Sequence, residues 1–308
     1  MSIPVLVAGA TGDLGSRIVG ELLLLDTHVR VLTRPGNGEA MRLYGENSRV
    51  EIVEAQYTDP AALAAAVSGM TTVVSALSGI RPVIVDAQRA LLAAAVTARV
   101  PRFIPSDYSS DYRRITIGSN RNFELRREFA AEVDAAPLRA TSILNGAFTD
   151  MLTGEAPLIL FKQHRVLYWS SADQILDFTT KDDTAFATAQ VAVDDDAPRI
   201  VEIAGDRVTA RDIANTMSIV SGQPFKLQWA GTTKTLSAMS KVARRASRDP
   251  EEIFPAWQGM QYFVSMFSGQ AQLLHVANGR FPSRRWTTVR DVLAEHVNRA
   301  TAGLTAST

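Results

Sequence analysis

The sequence predicts an α/β protein: a doubly wound parallel sheet in its first half and a smaller α/β subdomain after it. Three observations predict this. Short apolar runs alternate with longer stretches of helical periodicity through the first half. A strand, a glycine-rich turn and a helix open the chain. The second half has strands and helices in a less regular order, as expected of an appended subdomain.

The elements follow in order. Ile3 to Ala8 is a near-continuous apolar run, the pattern of a parallel strand buried on both faces. Leu14 to Leu25 carries apolar residues at helical spacing, and the run Leu22 to Leu25 fits the buried face of that helix. Val29 to Thr33 and Val50 to Glu54 are the second and third strands. Asp59-Pro60 opens a helix, with an acid at the N-cap and proline at the first turn. Thr72 to Ala76 is strand four, Pro82 to Ala98 an Ala-rich helix, and Phe103-Ile104 lies in strand five. Asn120 to Val133 is a charged amphipathic helix and Leu138 to Leu144 is strand six. Such alternation points to right-handed crossovers between parallel strands.

Further on, Val166 to Trp169 and Ile175 to Phe178 read as strands. Asp182-Asp183 starts a helix to about Val193, where acids suit the helix dipole. Ile200 to Ile203 is a strand. Thr209-Ala210-Arg211-Asp212 resembles a capping box opening a helix to Ser221. Phe225 to Trp229 is a short strand, and 233–247 and 289–300 are helical. The tail Thr301 to Thr308 is small and polar and is expected to fray. The pairs Arg244-Arg245 and Arg284-Arg285 read as solvated faces. The expected division is 1–155 for a nucleotide-binding domain and 156–308 for a substrate-binding subdomain, interleaved with the first.

Bulk properties narrow the function. The 308 residues are 46% hydrophobic and 21% charged, as in an ordinary globular chain. Thirty-two basic residues balance 32 acidic ones, so no net field draws the chain to nucleic acid or to an anionic membrane. With no cysteine, disulfides, thiolate catalysis and Cys-ligated metals are excluded. The four histidines have no metal-ligand spacing, and no metal is expected. The chain opens without a basic leader and has no apolar stretch of about 20 residues. A cytoplasmic location is expected.

Gly9-Ala10-Thr11-Gly12-Asp13-Leu14-Gly15 follows the first strand and opens the first helix. In this strand–turn–helix context the three glycines are a dinucleotide-binding fingerprint of the Rossmann type. Gly9 permits the turn, Gly12 lets backbone approach a diphosphate, and Gly15 lets the helix pack closely. Free N–H groups and the positive end of the helix then face the phosphates. Arg34 stands at the end of strand two, about 20 residues beyond the last glycine, where a NAD site carries an acid. An arginine there accommodates a 2′-phosphate, so NADP(H) is the expected cofactor. Ligands in open α/β sheets lie beyond the carboxyl ends of the strands. That rule adds Ser75, Ala76 and Leu77 after strand four and Ser106 and Tyr108 after strand five. Asn145, Gly146 and Phe148 follow strand six, at the nicotinamide end. Aromatics of the second half, Trp169, Phe178, Trp257, Tyr262 and Phe263, could line an apolar pocket, with core packing as the alternative.

The chain resembles the NmrA-like and isoflavone-reductase-like branch of the atypical short-chain dehydrogenases, including the phenylcoumaran benzylic ether reductases. The matching pieces are the glycine turn, Val31-Leu32-Thr33-Arg34, Arg102-Phe103-Ile104-Pro105-Ser106-Asp107-Tyr108 and Asn122-Phe123-Glu124-Leu125-Arg126. Ile143-Leu144-Asn145-Gly146-Ala147-Phe148, the Asp182-Asp183 helix start and Arg285-Trp286-Thr287-Thr288-Val289-Arg290-Asp291-Val292-Leu293 complete them, so the resemblance spans nearly the whole chain. It implies NADPH-dependent reduction of small aromatic or conjugated substrates, with a C-terminal subdomain closing over the nicotinamide. It also implies an alternative, since some NmrA-like members bind the dinucleotide without turnover and regulate a partner protein. Homodimerisation is a further possibility.

One departure bears on chemistry. The resembled reductases carry a proton-handling lysine in a Phe-Glu-x-Lys segment; here Arg126 follows Phe123-Glu124-Leu125. A guanidinium, with a pKa above about 12, is no general base near neutral pH, but it stabilises a developing enolate or phenolate by charge. The Tyr-x-x-x-Lys pair of the main short-chain dehydrogenases is absent: Tyr108 is followed by Tyr112 and Tyr112 by Thr116. Tyr108 is the candidate proton donor and Arg126 the candidate charge-balancing residue. A sugar-nucleotide epimerase or dehydratase is a weaker third reading, because that chemistry normally uses the missing pair.

Overall fold

Val5 to Ala8 are fully buried, and the strand they form lies inside a parallel sheet. The computed structural model describes residues 3–249 and 252–305. Its first elements are β1 (Pro4–Ala8), α1 (Asp13–Leu24), β2 (His28–Thr33), α2 (Gly38–Tyr44), β3 (Val50–Glu54), α3 (Pro60–Val67) and β4 (Thr72–Ser75). A π-helical turn, Pro82–Ala87, runs directly into α4 (Gln88–Thr97), followed by β5 (Arg102–Ile104), α5 (Arg121–Ala135) and β6 (Arg139–Ala140). Then come β7 (Ser142–Leu144), β8 (Ala147–Phe148), β9 (Ile159–Leu160), β10 (Arg165–Tyr168), β11 (Leu176–Thr179), α6 (Lys181–Ala192), β12 (Ile200–Glu202), β13 (Asp206–Val208), α7 (Ala210–Ser221), β14 (Lys226–Trp229), α8 (Thr233–Ala246), α9 (Ala256–Phe267) and α10 (Val289–Thr305).

The chain divides into two compact units. One comprises Met1–Tyr108, Asn122–Ile143 and Thr184–Val201; the other comprises Ser109–Arg121, Leu144–Asp183 and Glu202–Thr308. The first holds a six-stranded sheet in the order β3-β2-β1-β4-β5-β6, with every pairing parallel. This is the α/β Rossmann-type architecture. The order reverses between β1 and β4, and the carboxyl ends of those strands mark the place where such sheets take ligands. Leu6, Leu32, Val73, Leu91, Phe103 and Phe129 build its core. The second unit has two three-stranded sheets, β14-β10-β9 and β13-β11-β8. Trp169, Phe178, Ile213, Met217 and Phe267 form its core, with Trp169 stacked on Phe263 at 5.1 Å. Of the aromatics that could line a pocket, Trp169, Phe178 and Phe263 pack in this core, and Trp257 lies against the Arg121 and Arg244 guanidiniums.

Local signals work where they carry stereochemistry. Asp59 caps α3 by accepting from the Ala62 N–H at 3.0 Å, with Pro60 at the first turn. The Thr209–Asp212 capping box forms in both directions. Other expectations need correction. The strand read as Leu138 to Leu144 breaks at Thr141: β6 stays in the sheet, whereas the Ser142 N–H donates to the Arg199 carbonyl. The helix read from Pro82 begins as a π turn. Of Leu22 to Leu25 only Leu22 is buried, and Leu24 is 80% exposed, because α1 ends there. Arg284 is no solvated residue; its Nε donates to the fully buried Asp183 carboxylate at 2.7 Å. Arg244 stacks over Trp257. Two helices, α2 and α9, lack a periodic signal. α2 has only seven residues, too few to establish a 3.6-residue period, and α9 buries the polar Gln258, Gln261 and Ser265 among its apolar residues, which blurs the apolar stripe. α10 runs on to Thr305, and residues 306–308 of the expected frayed tail lie outside the described residues. Among the described residues no helix is long and apolar enough to cross a membrane.

Candidate functional site

The glycine turn is shaped by backbone contacts that exclude side chains. Gly9 has φ +80°, and a Cβ there would sit 2.7 Å from the Ala76 carbonyl oxygen at the end of β4. A Cβ on Gly15 would lie 2.1 Å from the Gly9 carbonyl oxygen, so only glycine lets α1 sit this close to the turn. Gly12 is exposed, and its only close neighbour would be the Gly9 carbonyl oxygen at 3.3 Å. The Gly12 N–H closes the turn on that same carbonyl at 3.0 Å. Gly12 is also the N-cap of α1 and offers no side-chain cap. The N–H groups of Thr11, Leu14 and Gly15 have no acceptor among the described residues. Together they form a set of donors at a positive helix end, the local chemistry of an anion site. Asp13, in the first helical turn, is held by Arg17 at 2.8 Å.

The ends of the neighbouring strands carry polar groups without partners. Thr33 Oγ1 at the end of β2 and Ser75 Oγ at the end of β4 are buried with no hydrogen-bond partner among the described residues. A buried polar atom left so costs about 1–3 kcal/mol, which marks these positions as unusual. Arg34 follows β2 immediately; it is exposed and forms no ion pair among the described residues. Its guanidinium lies close enough to Tyr57 to oppose the burial that pushes that phenol up to about 12. Ala76 extends the strand by donating to the Ala8 carbonyl at 2.8 Å. The Leu77 carbonyl accepts from Ser106 Oγ at 2.7 Å, tying the end of β4 to the loop after β5.

Gln88, which sequence reading passes over, completes that tie. It is fully buried in the first turn of α4; its Oε1 accepts from the Ser106 N–H at 2.8 Å, and its Nε2 donates to the Ile84 carbonyl at 2.7 Å. The π-helical turn thus anchors the loop that carries Ser106. A lone amide in an Ala-rich helix was its only signal.

Tyr108 is buried, and its hydroxyl has no hydrogen-bond partner of good geometry; the nearby Thr188 hydroxyl donates to the Thr184 carbonyl at 2.7 Å. Burial, with the Thr188 hydroxyl opposing and the Asp107 charge adding, holds the phenol proton above its ordinary range. Arg126 on α5 is half-buried. Its Nη1 donates to the Asn122 carbonyl at 3.3 Å, its Nε is buried without an acceptor, and no carboxylate pairs with it among the described residues.

In the second unit, Asn145 is fully buried, and neither its Oδ1 nor its Nδ2 has a partner among the described residues. Its main chain is fixed on both sides: the N–H donates to the Ser109 carbonyl at 2.9 Å, and the carbonyl accepts from Thr179 Oγ1 at 2.7 Å. Gly146 has φ +69°, and a Cβ there would fall 2.3 Å from the Asp177 carbonyl oxygen. Phe148 ends β8, which pairs parallel with β11. Thr149, next along, has a buried Oγ1 without a partner.

A six-stranded parallel sheet in this order, with a three-glycine turn at its order reversal, defines a Rossmann-type α/β protein. The chain belongs to the NmrA-like family, whose sequence profile matches residues 1–263. It is 30% identical over 204 residues to pinoresinol reductase 2 of Arabidopsis thaliana, a match covering 62% of this chain and 64% of that protein. The chain therefore spans less than two thirds of that relative's length. Its fold is like that of a solved structure described as AtPrR2 with NADP+ and (+)pinoresinol (TM-score 0.81, 22% identity, 96% of this chain and 99% of that one). It is also like a binary complex of leucoanthocyanidin reductase with NADPH from Vitis vinifera (TM-score 0.78, 16% identity, 96% and 99%).

Proposed function

We propose that the chain is an NADPH-dependent reductase of a small aromatic or conjugated substrate. The observation that carries the reading is the glycine turn: three unpaired main-chain donors at an uncapped helix end, beside the order reversal of the sheet, with the unpaired Arg34 at the neighbouring strand end. A dinucleotide diphosphate fits those donors, and a 2′-phosphate fits the free guanidinium. The orphaned Thr33 and Ser75 hydroxyls add polar groups at the same sheet edge. Gly9, Thr11, Gly12, Asp13, Leu14, Gly15, Arg34, Ser75, Ala76, Leu77 and Ser106 are assigned to the dinucleotide, and Asn145, Gly146 and Phe148 to its nicotinamide end. When bound, NADPH supplies a hydride from its nicotinamide.

The chain's residues then handle charge. Arg126 has no carboxylate partner among the described residues, and its guanidinium stabilises an electron-rich oxygen on the substrate. Tyr108 donates a hydrogen bond to that oxygen, and Tyr108 or water supplies the proton that completes the reduction begun by the hydride. The first unit carries the dinucleotide turn together with Arg126 and Tyr108. The relatives named pinoresinol reductase 2 and bifunctional pinoresinol-lariciresinol reductase support this reading.

NADPH oxidation in the presence of enones, quinones and aromatic ketones tests it. Turnover is expected, and Arg126→Ala is expected to lose most of it, by about 100-fold or more, with NADPH affinity retained. Tight NADPH binding without turnover on any of them would replace the enzyme by a redox-sensing regulator, a reading favoured by one observation: an arginine stands where the resembled reductases carry lysine.

A further inference from the structure

Tyr44 is the last residue of α2, in the helix that sequence periodicity does not show. Its ring is buried, and its hydroxyl donates to the Ala10 carbonyl at 2.7 Å. Ala10 is the second residue of the glycine turn. Its carbonyl belongs to the same peptide unit as the Thr11 N–H. The described peptide bonds are all trans, and a trans peptide is planar, so its C=O and N–H point in opposite directions. Fixing the one therefore aims the other. The carbonyl is turned toward the buried tyrosine; the Thr11 N–H is turned away from it, on a half-buried residue, and has no acceptor among the described residues.

We propose that Tyr44 is a positioning residue for diphosphate binding: by holding the Ala10 carbonyl inward, it aims the Thr11 N–H at the diphosphate of the dinucleotide. This rests on the NADP(H) reading above. Without the hydroxyl, the Ala10 carbonyl keeps no hydrogen bond among the described residues, and Gly9 and Gly12 on either side of Ala10-Thr11 let that peptide rotate more readily than other residues would. The phenol suits the task because burial, with Glu39 adding, pushes it up to about 12. It stays a donor over the whole range in which the protein is handled. The role differs from that of Arg34, which addresses the other end of the adenosine.

Tyr44→Phe keeps the ring and removes the donor. Calorimetric titration with NADPH, NADH and adenosine 2′-monophosphate, which lacks the diphosphate, separates the possibilities. Both dinucleotides are expected to bind about threefold to tenfold more weakly, the size of one lost hydrogen bond. Adenosine 2′-monophosphate is expected to bind as it does to the wild type. Unchanged dinucleotide affinity overturns the proposal, and so does an equal loss for all three ligands, which would show a merely structural tyrosine. A measurement on the wild-type chain guards against a variant that does not fold: the Thr11 amide resonance is expected to shift on adding NADH, and a resonance that stays in place overturns the proposal. A wild-type chain that takes up neither dinucleotide would instead bring down the NADP(H) reading itself, and this proposal with it.

Discussion

Arg34 carries a full charge at the end of β2 with no ion-pair partner among the described residues, which separates it from most arginines of the chain. Charge-assisted hydrogen bonds contribute about 1.5–3 kcal/mol, roughly a tenfold to hundredfold change in affinity. Arg34→Glu is therefore expected to weaken NADPH by about that factor and to leave NADH nearly unchanged. Calorimetry with both nucleotides checks this, and equal losses would remove the 2′-phosphate assignment. Arg34 and the three glycines were legible in the sequence because their roles depend on residue type at a fixed chain position. Tyr44 and Gln88 were not. Each acts on a main-chain group 34 or 18 residues away, and nothing local in the chain announces such a contact.

Among the elements, the loop Ser109–Arg121 and the segment around residues 271–275 of the second unit are tied by buried acids. Asp111 accepts from Arg113 at 2.8 Å and from Arg114 at 3.2 Å, and its own N–H donates to the Ala271 carbonyl at 3.1 Å. Arg113 also reaches Glu202, whose other oxygen takes the His275 N–H at 2.6 Å. Asp177 binds Arg207 and the Leu273 N–H, each at 2.7 Å. Burial raises the Asp111 pKa, but hydrogen bonds and charge from the arginines outweigh it and hold the carboxyl below the usual range. A depressed folded value means stability present above the unfolded pKa of about 3.9 and lost as pH falls through the folded value. Acid unfolding of the wild type should therefore steepen below about pH 4, and Asp111→Asn should flatten that limb while lowering stability at neutral pH. Denaturant titrations across pH check it; identical acid limbs would exclude Asp111. None of these ties was legible, because alternating charges along a loop read as solvent-facing until the partners are known.

For the whole molecule, a ligand that binds only the folded state adds RT ln(1 + [L]/Kd) to stability. NADPH at about 100 times its dissociation constant should raise the unfolding free energy of the unit that binds it by about 2.7 kcal/mol, read as an upward thermal shift. No shift with NADPH, or the same shift in Arg34→Glu at equal concentration, would contradict the binding site assigned here. At this scale the sequence by itself determined the α/β class, the parallel Rossmann-type sheet, the turn that opens it and the family, because repeating apolar periods and glycines act through local geometry. The tertiary structure alone decided that strand six breaks at Thr141, that Arg284 pairs with a buried acid, that Asn145 is buried without a partner, and that Tyr44 holds the glycine turn. Those outcomes depend on which distant groups meet in space, and a buried polar group has no preference of its own until packing removes its water.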